Sequence, residues 1–235
     1  MTFAALVFAF GLGVAGYAVA NPAGAVCAAS GVLPLTRLSD GVLVEARPSN
    51  PDHPAMVQGL LSNAKGRIGE AFGDPRSVPT VVFFNSATSF WPFQLNEYGS
   101  TQFIGPKTCV LIGPKGRSVD VVAHELMHAE IADRIGVRAK FTDLPTWFDE
   151  GLAMQVDFRP DYDLAEGGDH DTKSVRALRS AKEFFAPDPK QLTNNYASAK
   201  AEVAGWIEQV GEASVYARLE RMRRGEPFAS VAAGN

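Results

Sequence analysis

The spacing of apolar positions changes along the chain, and each change predicts a different element. Thr2 to Ala20 is an uncharged apolar run of about bilayer-spanning length. Asn21 to Leu38 is rich in Ala, Gly and Pro and nearly uncharged, which reads as a linker or loosely ordered lead-in. Alternation and β-branched content from Gly41 to Arg47 predict a strand, and Pro48, Pro51 and Pro54 then interrupt it. Met56, Leu60, Leu61, Ile68 and Phe72 recur at helical spacing, predicting a helix from Ala55 to Phe72 that stops at Gly73-Asp74-Pro75. Pro79 to Phe84 and Thr108 to Gly113 are short apolar runs bounded by turn residues and predict buried strands. Between them, Ser86 to Phe103 reads as loop, with Phe90, Trp91, Phe93 and Tyr98 covering the core or lining a cleft.

Helical periodicity then dominates. A helix is predicted from an N-cap at Ser118 to Ile135, with Gly136 as its stop; Val119, Val122, Leu126 and Ala129 form its apolar stripe, and Glu130 and Arg134 pair on its outer side. Thr146 and Asp149 fit a capping box opening a second helix. Thr172 to Phe185, Ala197 to Val210 and Ala213 to Arg224 read as helices of a C-terminal lobe; the arginines Arg218, Arg221, Arg223 and Arg224 form a solvated basic face on the last. The segment Asp157 to Asp171 is acidic and reads as a solvated loop.

Composition narrows the class. A chain of 235 residues with 46% hydrophobic and 20% charged residues is globular and of one-domain size. The net charge of -4, without a basic run among aromatics, excludes a nucleic-acid partner. Residues 1–20 read as a cleaved signal peptide, with Ala18-Val19-Ala20 as its site, or as a retained membrane anchor, the apolar length favouring the anchor. Either reading places the domain from residue 41 onward outside the cytoplasm, membrane-anchored, periplasmic or secreted. Cys27 and Cys109 suit export, as a disulfide or as two small apolar residues.

The chemistry centres on His124-Glu125-Leu126-Met127-His128. Residues four apart share a helix face, so the two imidazoles can point at one ion, with Glu125 beside it to handle the proton of a metal-activated water. A catalytic zinc needs a third protein ligand and an open position. Glu150, in Trp147-Phe148-Asp149-Glu150-Gly151-Leu152-Ala153, is the candidate; a close approach of two helices around the metal would explain Gly151 after it. His53 lies away from any motif and reads as a surface or capping residue.

These two motifs resemble those of the gluzincins, zinc peptidases that pair such a helix with a later helix carrying a glutamate ligand, and in size the chain is similar to single-domain peptidase MA-like proteins. The resemblance implies an α+β, zincin-like fold: a small mixed sheet packed on the active-site helix (41–136), followed by a mainly helical lobe (137–235). It implies Zn2+ held by His124, His128 and Glu150, Glu125 as general base, and hydrolysis of peptide bonds in a peptide or protein substrate. The acid that supports the zinc ligands four residues after the glutamate in thermolysin-like enzymes is replaced by Met154, and the aminopeptidase motif that holds a substrate N-terminus is absent, which points to an endopeptidase. For the oxyanion donor the candidates are Tyr196, Tyr162 and His170, with Tyr196 preferred because its segment is similar to the Tyr-bearing helix of peptidase MA-like domains. The strand Thr108 to Gly113 is the expected edge for pairing an extended substrate. The alternative to a peptidase is a catalytically inactive, envelope-associated binding module that keeps the fold.

Overall fold

Apolar strands flanked by proline and glycine collapse here into one mixed five-stranded sheet, and helices fill most of the remaining chain, giving a mixed α+β protein. The computed structural model describes residues 21–38, 41–45, 53–163 and 172–233. The apolar run at 1–20 and His170 lie outside these residues. Among the described residues no helix is long and apolar enough to cross a membrane. The chain divides into two compact units: one takes in residues up to Gln58 together with Val78–Arg117, the other Gly59–Ser77 together with Ser118 onward.

Residues 21–38 are not a loose lead-in, for they hold helix α1 (Pro22–Ala29) and strand β1 (Leu35–Arg37). Asn21 caps α1 by accepting from the Gly24 amide at 2.9 Å, and proline at the first helical position needs no donor there. Cys27 of α1 is bonded to Cys109, which fixes the helix on the sheet. The signal that the sequence reading missed is this cap; with so few charges and a bridge that sequence cannot pair, the segment looked unanchored.

β2 (Val42–Glu45) leads into α2 (His53–Phe72), which returns the chain to β3 (Thr80–Phe83). A hairpin of β4 (Gly99–Ile104) and β5 (Lys107–Ile112) completes the sheet, turning at Gly105 with φ of +58°. The strand order is β1-β2-β3-β5-β4, with β2, β3 and β5 parallel and the two outer strands antiparallel to their neighbours. Leu43, Val82 and Leu111 are register partners on one face, where they form a core with Val26, Phe84, Phe90 and the disulfide. Their alternates Val42, Val81 and Val110 are buried as well, as expected for central parallel strands, which are apolar on both faces.

Two further expectations change. Part of the presumed loop 86–103 is strand β4, missed because Gly99-Ser-Thr-Gln carries little apolar signal. As a result β5 is internal, bonded to β3 and β4, and cannot be the sheet edge.

The second unit is helical among its described residues. It contains most of α2, then α3 (Val119–Ile135), α4 (Val137–Thr142), α5 (Thr146–Ala153), α6 (Thr172–Val175), α7 (Ala181–Phe184), α8 (Pro189–Val210), α9 (Val215–Arg223) and α10 (Phe228–Ala232). The predicted helix 172–185 is two short helices, because Ser180 opens a new one with a capping box to Glu183. α8 starts earlier than expected, capped by Asp188 with Pro189 at its first position, so Tyr196 sits two turns inside it. The arginines of α9 are engaged: Arg221 pairs with Glu226, and Arg223 donates to the Asp133 carbonyl at 2.7 Å.

The disulfide closes a loop across a separation of 82 residues. Constraining so long a loop in the unfolded chain stabilises the native state by about 4 kcal/mol. The Cys27→Ser, Cys109→Ser double variant is expected to unfold at markedly lower urea concentration, by about 2 to 5 kcal/mol in stability. An unchanged midpoint would show that the bridge does not form.

Candidate metal centre

α3 is fixed at both ends by local sequence. The Ser118 hydroxyl accepts from the Val121 amide at 3.2 Å, and Gly136, at φ of +87°, ends the helix with its amide on the Ala132 carbonyl at 2.8 Å. Between these stops, His124 and His128 lie one turn apart on a buried stretch, with ring centroids 4.8 Å apart.

α5 brings the third group. Thr146 is not its cap: the N-cap is Pro145, and the first amides are satisfied by the carbonyls of Arg179 and Leu178 from the chain preceding α7. Gly151 does permit a close helix approach, but to α8, since an added Cβ would meet the Ala199 carbonyl oxygen at 2.5 Å and Val203 at 2.6 Å. Gln155 reinforces this contact by donating to the carbonyls of Gly151 and Lys200.

His124 Nε2, His128 Nε2 and Glu150 Oε2 converge. The two nitrogens are 3.2 Å apart, and the carboxylate oxygen lies 3.4 Å from one and 3.5 Å from the other. Ligands about 2.0 to 2.2 Å from a tetrahedral ion are separated by about 3.3 to 3.6 Å, so this triangle has the size of one tetrahedral face. All three residues are buried, and they are the group among the described residues that could hold a metal ion. Both cysteines are consumed by the disulfide, so neither can complete a closed site.

The treatment of two buried glutamates separates structure from ligation. Glu130 was expected on the outer side of α3 but is fully buried; its carboxylate accepts from Arg134 Nε at 2.7 Å and from the amides of Arg76 and Ser77 at 3.0 and 2.8 Å. Glu150 Oε2 is equally hidden and has no hydrogen-bond partner. An unsatisfied buried carboxylate oxygen costs several kcal/mol, and a cation between the two imidazoles is the partner that this geometry accommodates.

Sequence reasoning missed the supporting acids. Asp149, assigned to a cap, instead meets His128 Nδ1 at 3.1 Å, and the buried Lys140 of α4 holds the same carboxylate at 2.5 and 2.6 Å. Asp157, assigned to a solvated loop, is fully buried, and its Oδ2 lies 3.5 Å from His124 Nδ1, in ion-pair range though longer than a hydrogen bond. Arg159 clasps Asp157 through Nε at 2.9 Å. The Phe158 amide and Arg67 both donate to Asp120, pinning this segment to the first turn of α3. Asp149 holds a proton on His128 Nδ1 and leaves Nε2 free to ligate, while Asp157 sets a carboxylate beside His124 Nδ1 without a hydrogen bond to it. No spacing rule could have found them, since one adjoins the ligand glutamate and the other follows the end of α5.

Charge is drawn to the same point. Burial alone would lower the His128 pKa, but the carboxylates of Asp149 and Glu150 outweigh it and lift the value to about 10. Burial would raise the Glu150 pKa, yet His128 and His124 hold that carboxyl far below its usual range. Glu125 is buried one residue from His124. The Tyr196 ring stands 6.2 Å from the His124 ring, and burial together with Glu150 and Glu125 pushes its phenol well above the usual value, so it stays protonated. Tyr162 packs edge to face on Tyr196 with ring centroids 5.3 Å apart, and the Arg159 guanidinium lies 4.8 Å from the Tyr162 ring centroid. His53 belongs to the first unit and has no place in this cluster. No protein-family model matches the chain, and no curated protein matches it.

Because the folded pKa of His128 is raised, its imidazole carries a proton at neutral pH in the metal-free protein, and an ion must expel that proton to bind. Metal affinity is therefore expected to rise with pH toward about 10. Calorimetric titration near pH 7.5 in buffers of different ionisation enthalpy should show about one proton released per ion; no release would contradict the ligand role of His128. Asp149→Asn should weaken metal binding about 10- to 100-fold while leaving the fold intact by circular dichroism.

Proposed function

We propose that the protein is a zinc-dependent peptidase of zincin-like architecture, acting outside the cytoplasm. The observation that carries this reading is the buried triangle of His124, His128 and Glu150 with Glu125 on the same helix and no partner on Glu150 Oε2. Two imidazoles and one carboxylate are the donor set that catalytic zinc takes in hydrolases, leaving a position for water and substrate.

When bound, such an ion supplies a Lewis acid that brings the pKa of a water to about 7 and polarises a carbonyl. His124, His128 and Glu150 would hold it, with Asp149 orienting the His128 ring from behind and Asp157 placing its charge beside His124. Glu125 takes the proton of the attacking water and returns it to the leaving amide nitrogen, which bond cleavage makes basic. Tyr196, kept protonated by its surroundings, donates to the carbonyl oxygen as negative charge develops there. Tyr162 and the Arg159 guanidinium support Tyr196 rather than the substrate. The Cys27–Cys109 disulfide favours an oxidising compartment, in line with export of the domain.

Glu125→Gln should bind one equivalent of zinc and lose hydrolysis of a generic peptide panel by about 1000-fold or more, whereas Glu150→Gln should lose the zinc itself. Tyr196→Phe should keep KM and lower kcat about 100-fold. Full activity in Glu125→Gln would remove Glu125 as the general base, whereas a metal-loaded wild type without activity on any peptide would replace the peptidase with a binding module on the same scaffold.

A further inference from the structure

The second unit contains a cavity of ≈ 220 Å³ that shares no residue with the metal centre. Its walls are the rings of Trp147, Phe148, Trp206 and Phe228, which pack edge to face with centroids 4.8 to 6.2 Å apart. A cavity of about 150 Å³ lined by apolar side chains is enough to take benzene, so this one has room for a phenyl ring with a short substituent.

The polar groups around it determine which substituent. Arg176 and Glu202 line the cavity and pair with each other, the Arg176 Nε to Glu202 Oε1 distance being 2.6 Å, so their charges cancel. Arg179 also lines it, and its guanidinium makes no hydrogen bond or ion pair among the described residues; the acid whose charge it feels, Glu183, is held by the Ser180 amide and hydroxyl. Trp206 donates its indole nitrogen to the Ala232 carbonyl at 3.1 Å, whereas Trp147, 7% exposed, has a buried indole N–H with no partner. The unspent polar groups are thus two donors, one of them a cation, beside an aromatic cage. A ligand that satisfies both has an apolar body and an anionic acceptor.

We propose that this cavity is a binding site for a small aromatic or branched apolar carboxylate, its ring among Trp147, Phe148, Trp206 and Phe228 and its carboxylate on Arg179. The site stands independently of the metal and of the peptidase reading.

The chain has three tryptophans, two of which line the cavity, while the third, Trp91, is 84% exposed. In a Trp91→Phe background, indole fluorescence therefore reports on the cavity. Phenylacetate is expected to change that fluorescence with Kd of about 0.1 to 1 mM. 2-Phenylethylamine, of the same shape and opposite charge, should bind at least tenfold more weakly. Arg179→Ala should weaken phenylacetate about tenfold and Arg179→Lys restore part of the loss. Ala229→Trp, at an exposed position on the wall, should fill the cavity and abolish binding with the melting temperature retained. No saturable response to phenylacetate below about 10 mM, equal binding of acid and amine, or binding indifferent to Arg179→Ala would each overturn the assignment. The last comparison decides the matter even if Ala229→Trp does not fold.

Discussion

The metal centre of the second unit depends on holding two imidazoles and a carboxylate within 3.2 to 3.5 Å of one another away from water. Such groups repel or hydrogen-bond in the wrong pattern unless something on each side constrains them. α3 supplies the first constraint by fixing the histidines at one helical turn between a serine cap and a glycine stop. α5 supplies the second, and its position is set in turn by Gly151, whose missing side chain lets the helix rest against the backbone of α8. The tyrosine proposed as a donor lies on that same α8, so one glycine governs where Glu150 and Tyr196 stand relative to each other.

Charge is arranged with the same economy. The acids behind the histidines do not stand alone: Lys140 neutralises Asp149 and Arg159 neutralises Asp157, which spares the interior two bare carboxylates. Glu130, two residues beyond His128 on α3, receives enough donors to be a structural group in its own right. Glu150 differs from these acids: no Lys, Arg or backbone amide bonds its Oε2, whose neighbours are the two imidazoles.

What the sequence made legible was whatever rests on a local period. The helix from Val119 to Ile135 with both its ends, the helix ending at Phe72 and the strands around Val82 and Val110 could be read from spacing and stop signals. The pairing of His124 and His128 follows from helix spacing, and Glu150, a candidate from the motif that resembles the gluzincin one, does lie with them. The parts that escaped depend on partners distant in sequence: Arg67 and Asp120 drawing in the chain around Phe158, the disulfide anchoring α1, and β4 taking the sheet edge. Asp149 was misjudged for a subtler reason. A short acid in the first turn of a helix serves a cap or a neighbour equally well, and only the buried Lys140 and His128 around it decide between them.

Asp149 and Glu150 are consecutive on α5, about 100° apart around its axis, and they address opposite nitrogens of His128. A small rotation of this helix would withdraw the ligand and the support together, and the reverse rotation would restore both. The placement of one short helix thus sets both faces of the His128 ring at once, so its two carboxylates form one unit rather than two separate contacts.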